Sequence, residues 1–191
     1  MPFAKQQSLR LHPRIEELIE YIAEHRRRVH EAVAEIPSHL TGRRPSRDQW
    51  SVAEVVEHLS ITEHGIARLL TKYVTAARAN GVGPDPDTSS VVASYANPGA
   101  MTDRSTKLVA PPPVRPTGTI DANAGTQALV MSRAAMISAL QNANGVSLEQ
   151  LTHPHPALGP LNMYHWAVFV GLHDVRHAAQ IRDIGQSLAA G

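Results

Sequence analysis

The sequence predicts an all-α fold, a four-helix bundle with a long crossover loop between its second and third helices. Three observations carry this. Four segments repeat apolar residues at three- and four-residue steps, the spacing that gathers them on one face of a helix. No segment alternates apolar and polar residues with the period of two that a half-buried strand requires. Between the second and third segments runs a stretch, residues 81–119, that holds seven of the fourteen prolines, Pro111, Pro112 and Pro113 among them. Proline removes a backbone donor and clashes with the preceding turn, so no long helix runs through it. A connection of that length inside one domain tends to be functional or mobile.

The first helix covers about residues 13–36. Pro13 suits a first turn, where its missing N–H has no partner to lose. Ile15, Leu18, Ile19, Ile22, Val29, Val33 and Ile36 form the stripe, Glu and Arg fill the spaces between, and Pro37 stops it. The second helix opens at Ser51. Ser51 with Glu54 three residues later has the form of a capping box, in which hydroxyl and carboxylate satisfy free amides of the first turn. Val52, Val55, Val56, Leu59, Ile66, Leu69, Leu70, Tyr73 and Val74 continue its stripe to Asn80 and Gly81. Residues 91–96 form a short helix within the connection. The third helix covers about 121–144, with Leu129, Val130, Ala134, Met136, Ile137 and Leu140 inward and Gly145 closing it. The fourth starts near Asn162, an N-cap after Gly159, Pro160 and Leu161. It passes through Trp166, Val170, His173, His177, Ile181 and Ile184 and stops near Gly185 or a turn later.

The chain of 191 residues is long enough for one domain, residues 1–191, with a good-sized core. Its net charge of +1, with arginines only in the small groups 26–28 and 43–44 near acidic residues, lacks the basic stripe that nucleic-acid binding needs. The absence of cysteine excludes disulfides, thiolate zinc sites and cysteine nucleophiles. The first residues hold no apolar signal core, and no window approaches the 18 apolar residues of a membrane span. A cytoplasmic protein without membrane partners is the expectation.

Function is concentrated in the histidines. His173 and His177 are four residues apart in the last helix, so they share one face with Cβ atoms about 5–6 Å apart. Two imidazoles at that spacing can share a metal ion at roughly 2.0–2.1 Å per bond. His58, in an equally apolar stretch of the second helix, is the candidate third ligand. Three neutral nitrogens and one open position make the ligand count of a catalytic site. Burying imidazoles without partners is costly, and a metal resolves that cost. Ordered water and backbone carbonyls filling the same needs is the metal-free alternative.

Glu54, one turn before His58, is the candidate catalytic base, with the capping box as its competing role. Asp174, in His173-Asp174-Val175-Arg176-His177, replaces the glutamate of a zinc-protease motif with a side chain too short to serve a bound water well. A salt bridge or outward solvation accounts for it equally. His12, His25, His30 and His39 read as surface residues. His64 points to the far side of its helix and His165 drifts off the face of His173. His153 and His155 lie in the loop before the last helix, at the mouth of a possible pocket.

Three stretches together resemble the DinB/YfiT-like superfamily. They are the run 50–59, Trp-Ser-Val-Ala-Glu-Val-Val-Glu-His-Leu; the run 155–162 followed by Trp166; and His173-Asp174-Val175-Arg176-His177-Ala178-Ala179-Gln180-Ile181. The resemblance implies a four-helix bundle holding a divalent metal, nickel or zinc above all, through His58, His173 and His177. It also implies a homodimer. Relatives of this type include S-transferases that use a low-molecular-weight thiol as cosubstrate, a thiol-dependent isomerase, and metal-dependent hydrolases. The function expected is therefore activation of a small thiol or of water at the metal, for S-transfer to a small-molecule substrate or for hydrolysis. A non-catalytic metal-binding or stress-response bundle is the alternative. The 81–119 connection is long for the family, and loops of this kind shape pockets.

Overall fold

A computed structural model describes residues 10–95, 98–105 and 108–190. Four long helices form the frame: α1 (Pro13–Ala34), α2 (Val52–Ala79), α5 (Ala122–Asn142) and α6 (Met163–Ala189). Two single-turn helices, α3 (Val91–Ser94) and α4 (Gly99–Thr102), lie in the connection between α2 and α5. Ala96, the last residue assigned to the short helix from sequence, lies outside the described residues, as does the first stretch of the chain.

The ends of the helices follow local chemistry. Pro13 stands at the first position of α1, and the His12 ring accepts from the Arg14 amide. The capping box of α2 is complete: Ser51 Oγ accepts from the Glu54 N–H at 3.2 Å, and Glu54 Oε2 accepts from the Ser51 N–H at 2.9 Å. Asp121 caps α5 and Asn162 caps α6. Gly81 and Gly145 follow α2 and α5 in the left-handed region, at φ 74° and 84°.

Side-chain contacts give the helix directions. Glu63 of α2 meets Ser132 and Arg133 of α5, while Arg78 near the end of α2 reaches the carbonyls of Asn142 and Asn144. These two helices therefore run the same way. Arg26 meets Asp174 and Glu35 meets Arg182, so α1 and α6 also run alike. Val52 and Val55 at the start of α2 cluster with Val29 and Ala32 late in α1, while Ile66 and Leu70 further along α2 cluster with Ile15 and Leu18 at the start of α1, so the first pair runs opposite to the second. The connection follows α1 and α6 on its way: Asp85 and Ser89 bind Arg14, Arg104 pairs with Asp183, and Val114 reaches His58.

The core has two apolar layers with a polar layer between. One groups Ile15, Leu18 and Ile22 with Ile66, Leu70, Met136, Leu140 and Phe169. The other groups Val29, Ala32, Val52, Val55, Leu59, Leu129, Ile181 and Ile184. Between them, Arg26, Glu63, Arg133 and Asp174 bring one ionic side chain from each of the four long helices. Arg26 holds Asp174 through two bonds of 3.0 and 3.1 Å and Glu63 through one of 2.9 Å. Arg133 donates to Asp174 at 2.8 Å and stands 2.7 Å from Glu63 Oε1, off the alignment of a hydrogen bond. Two positive and two negative groups balance, which is what makes buried charge tolerable.

Two expectations need correction. Residues 150–162 contain strands: β1 (Thr152–His155) pairs antiparallel with β2 (Gly159–Asn162), Pro154 facing Pro160. Two prolines in eight strand residues hide the alternation that would have marked a hairpin. On α5, Val130 is 59% exposed and Ala134 also faces out, while Ser132 and Arg133 are buried. The helix turns a polar pair inward because Glu63 and Asp174 wait there to bind it.

Candidate metal centre

α2 and α6 cross where both apolar stripes are interrupted by imidazoles. His58 Nε2 lies 3.2 Å from His173 Nε2, and His177 Nε2 lies 3.0 Å from the same atom. All three ligating nitrogens are within 4.8 Å of one another, and all three residues are buried. Atoms about 2.0–2.1 Å from a common ion and 90–110° apart would be separated by roughly 2.9–3.4 Å. The two short separations fall in that range, so the side chains are spaced as ligands of one ion would be.

The outer nitrogens decide which way the lone pairs point. His58 Nδ1–H donates to the Val114 carbonyl at 2.6 Å, and His177 Nδ1–H donates to Gln180 Oε1 at 2.7 Å. Each ring then presents an unprotonated Nε2 to the centre. A proton on His173 Nε2 could satisfy only one of the two lone pairs that face it. A cation satisfies all three. Burial also keeps the rings neutral. It pushes His177 down to about 3, with the neighbouring His58 adding to the effect against the Gln180 bond. It likewise holds His173 well below, and His58 below, the ordinary histidine range. Neutral imidazoles are the form that binds metal. This donor set fits a divalent ion of the zinc or nickel kind.

Aromatic rings fix the imidazoles from outside. Phe169 lies nearly parallel to His173 at 5.2 Å between centroids, and Trp50 packs against His58 at 4.9 Å. The three histidines line the wall of a cavity of about 1290 Å³. The connection contributes Leu108, Val109, Pro111 and Val114 to its lining. His153 and His155 line it too, on β1 rather than in the loop expected from sequence.

Glu54 is buried at the edge of this cavity in its capping rotamer. Its Oε2 accepts from Arg44 Nε at 2.8 Å as well as from Ser51, and Oε1 binds Arg44 Nη2. Burial alone would raise its carboxyl, but the Arg44 guanidinium and the Ser51 N–H hold it below the ordinary range. Action as a base would require release of both partners. Asp174, adjacent to His173, is 1% exposed and bound by two arginines, a deep salt bridge with no outward solvation. His64 and His39 are exposed, and His12, His25, His30 and His165 are half-buried away from the centre.

Gln180 and the Val114 carbonyl were not singled out as functional from sequence. Gln180 carries a usable signal, since its place three residues after His177 puts it one turn along the same face. Val114 carries none, because a carbonyl in a proline-rich stretch has no side-chain signature.

Fold and site together define a class: a four-helix bundle with a buried three-histidine cluster, suited to one divalent ion and open to a large cavity. Residues 21–181 match the DinB superfamily, and the chain belongs to that family. It is similar to the uncharacterized protein YuaE of Bacillus subtilis (strain 168), 26% identical over 148 residues, which cover 76% of this chain and 83% of that protein. No solved structure matches the chain. Among the described residues, no helix is long and apolar enough to cross a membrane.

Proposed function

We propose that this protein is a divalent-metal-dependent enzyme in which His58, His173 and His177 hold nickel or zinc and a small thiol or water is activated for S-transfer or hydrolysis. One observation carries the reading: three neutral Nε2 atoms converge, two of them aimed by hydrogen bonds at their far nitrogens. When bound, the ion lowers the pKa of a coordinated thiol or water, so that a nucleophile exists at neutral pH. The chain supplies the rest. Val114 and Gln180 hold two ligands in one tautomer. Phe169 and Trp50 restrict ring rotation. The cavity above the imidazoles admits a small-molecule substrate, which a closed structural site would not do. Glu54 anchors Arg44 at the rim, and serves as a base only in a rotamer that frees it from Arg44 and Ser51.

The deciding experiment is metal analysis of the purified protein with turnover of thiol and ester substrates. About one equivalent of metal is expected, falling by more than tenfold in affinity for His58→Ala. Parent-like affinity in that variant would remove His58 from the site and the reading with it.

We also propose a homodimer through the outward face of α5. Its exposed residues include Gln127, Val130, Met131 and Ala134, and its one charged residue, Arg133, is buried. The outward face of α1, by contrast, carries Glu20, Glu24, Arg27, Arg28 and Glu31. A helix face without charge is the kind that a partner covers.

A further inference from the structure

The 155–159 turn contains an imidazole that the proposed metal chemistry leaves unused. His155 Nδ1 accepts two backbone N–H groups, from Ala157 and Leu158, each at 3.1 Å. An atom receiving two donors carries no proton, so the proton of this ring sits on Nε2. Burial holds the ring below the ordinary histidine range, which keeps it neutral at pH 7. It is therefore a donor of fixed direction, unfit as a base. Nε2 has no partner among the described residues, although Nδ1 has two.

The position of the ring is also fixed. It packs on Phe169 at 4.6 Å and on Trp166 at 5.1 Å, and Phe169 packs in turn on His173 at 5.2 Å. His155 thus stands one aromatic ring away from a candidate ligand, on the wall of the same cavity. The rest of that wall limits what can bind. Ile66, Leu69, Leu108 and Val109 make it largely apolar. Of its arginines, Arg44 and Arg104 are paired with the carboxylates of Glu54 and Asp183, and Arg115 and Arg176 donate to the Ala110 and Met101 carbonyls.

We infer that His155 is a positioning residue whose Nε2–H donates to an acceptor oxygen, a carbonyl oxygen above all, on a mainly apolar molecule bound at the three histidines. This rests on the metal reading above and names the substrate class for it. A neutral donor in an apolar wall discriminates strongly between a molecule that accepts its bond and an isostere that cannot.

The test uses protein loaded with cobalt(II), whose visible d–d bands report both loading and ligand exchange. Thiophenols bearing an acetyl group at the 3- or 4-position are titrated beside their ethyl isosteres. At least one acetyl isomer is expected to bind about five- to tenfold tighter than its ethyl partner. Replacing His155 by Nτ-methylhistidine keeps the Nδ1 acceptor and the ring stacking and removes only the Nε2 donor. The acetyl preference should then fall to within about twofold, with cobalt affinity unchanged. His155→Asn, which keeps an acceptor for the turn amides, should lose the preference equally. No acetyl preference in the parent, or one that survives both changes, overturns the inference. Failure of cobalt to load overturns the metal reading itself, and the spectrum before thiol addition separates the two results.

Discussion

At the scale of single residues, the centre depends on side chains that never touch an ion. Gln180 fixes the tautomer of His177. Gln180→Leu should therefore weaken metal binding by about 10- to 100-fold, as measured by competition with a chromophoric chelator, while Gln180→Glu, which keeps an acceptor, retains it. Glu54 yields a pH prediction. Its carboxyl titrates below the ordinary range in the folded chain, because Arg44 and the Ser51 amide outweigh burial. The unfolded chain therefore takes up the proton first as pH falls, and the stabilising contribution is present above about pH 4.5 and lost below it. Glu54→Gln should cost about 1–2 kcal/mol at pH 7 and progressively less as pH is lowered below about 4.5, read by urea unfolding across that range. A cost that grows as pH falls would contradict the cap and ion pair as described. The His173–His177 pair and the capping box were legible in sequence because each signal lies within about one turn of one helix, whereas His58 joined the pair only through its apolar surroundings and the family resemblance. The partners of Asp174 were not, since Arg26 and Arg133 lie 148 and 41 residues away.

At the scale of the element, α1 and α6 approach closely at glycines. A Cβ on Gly171 would come within 2.3 Å of the Tyr21 ring, and one on Gly185 within 2.3 Å of the Ile36 Cδ1 methyl. The ring is flat, packed and slow to yield, whereas the methyl is the end of a flexible chain. Gly171→Ala should cost about 1–3 kcal/mol and Gly185→Ala clearly less, a ranking that thermal melts of the two variants will check. The ionic layer is the other joint between helices. Asp174→Ala leaves two buried arginines short of charge and should cost about 3–5 kcal/mol in denaturant unfolding. Helices with clean stripes and local caps, α1, α2 and α6, could be read directly from the sequence. On α5 the inward face includes Ser132 and Arg133, so a rule that sends apolar residues inward placed Val130 and Ala134 on the wrong side. Tertiary charge pairing overrode the pattern there, and proline did the same to the hairpin.

At the scale of the whole molecule, the candidate ligands join α2 to α6 across the bundle. Metal at 100 times its Kd should stabilise the fold by about 2.7 kcal/mol, and chelation should lower Tm by roughly 5–10 °C. In the homodimer proposed above, the outward face of α5 is the contact: Met131→Glu should convert that dimer to a monomer in sedimentation, without loss of helix content, since Met131 is 73% exposed in the single chain. The overall class was legible because four long amphipathic segments admit few architectures. Helix directions, and the return of the connection past Val114 to the imidazoles, were not, because they depend on contacts between residues far apart in the chain.

That separation has a temporal side. His58 and His173 are 115 positions apart, and the carbonyl that orients His58 belongs to a third stretch of the chain. During synthesis, the first two helices emerge while α6, against which α1 packs, does not yet exist. Until it arrives, the face of α2 that bears His58 stays open to solvent and to any stray ion. Long-range closures of this kind come late and make folding slow. Assembly of the three-histidine cluster is thus the last step the nascent chain completes.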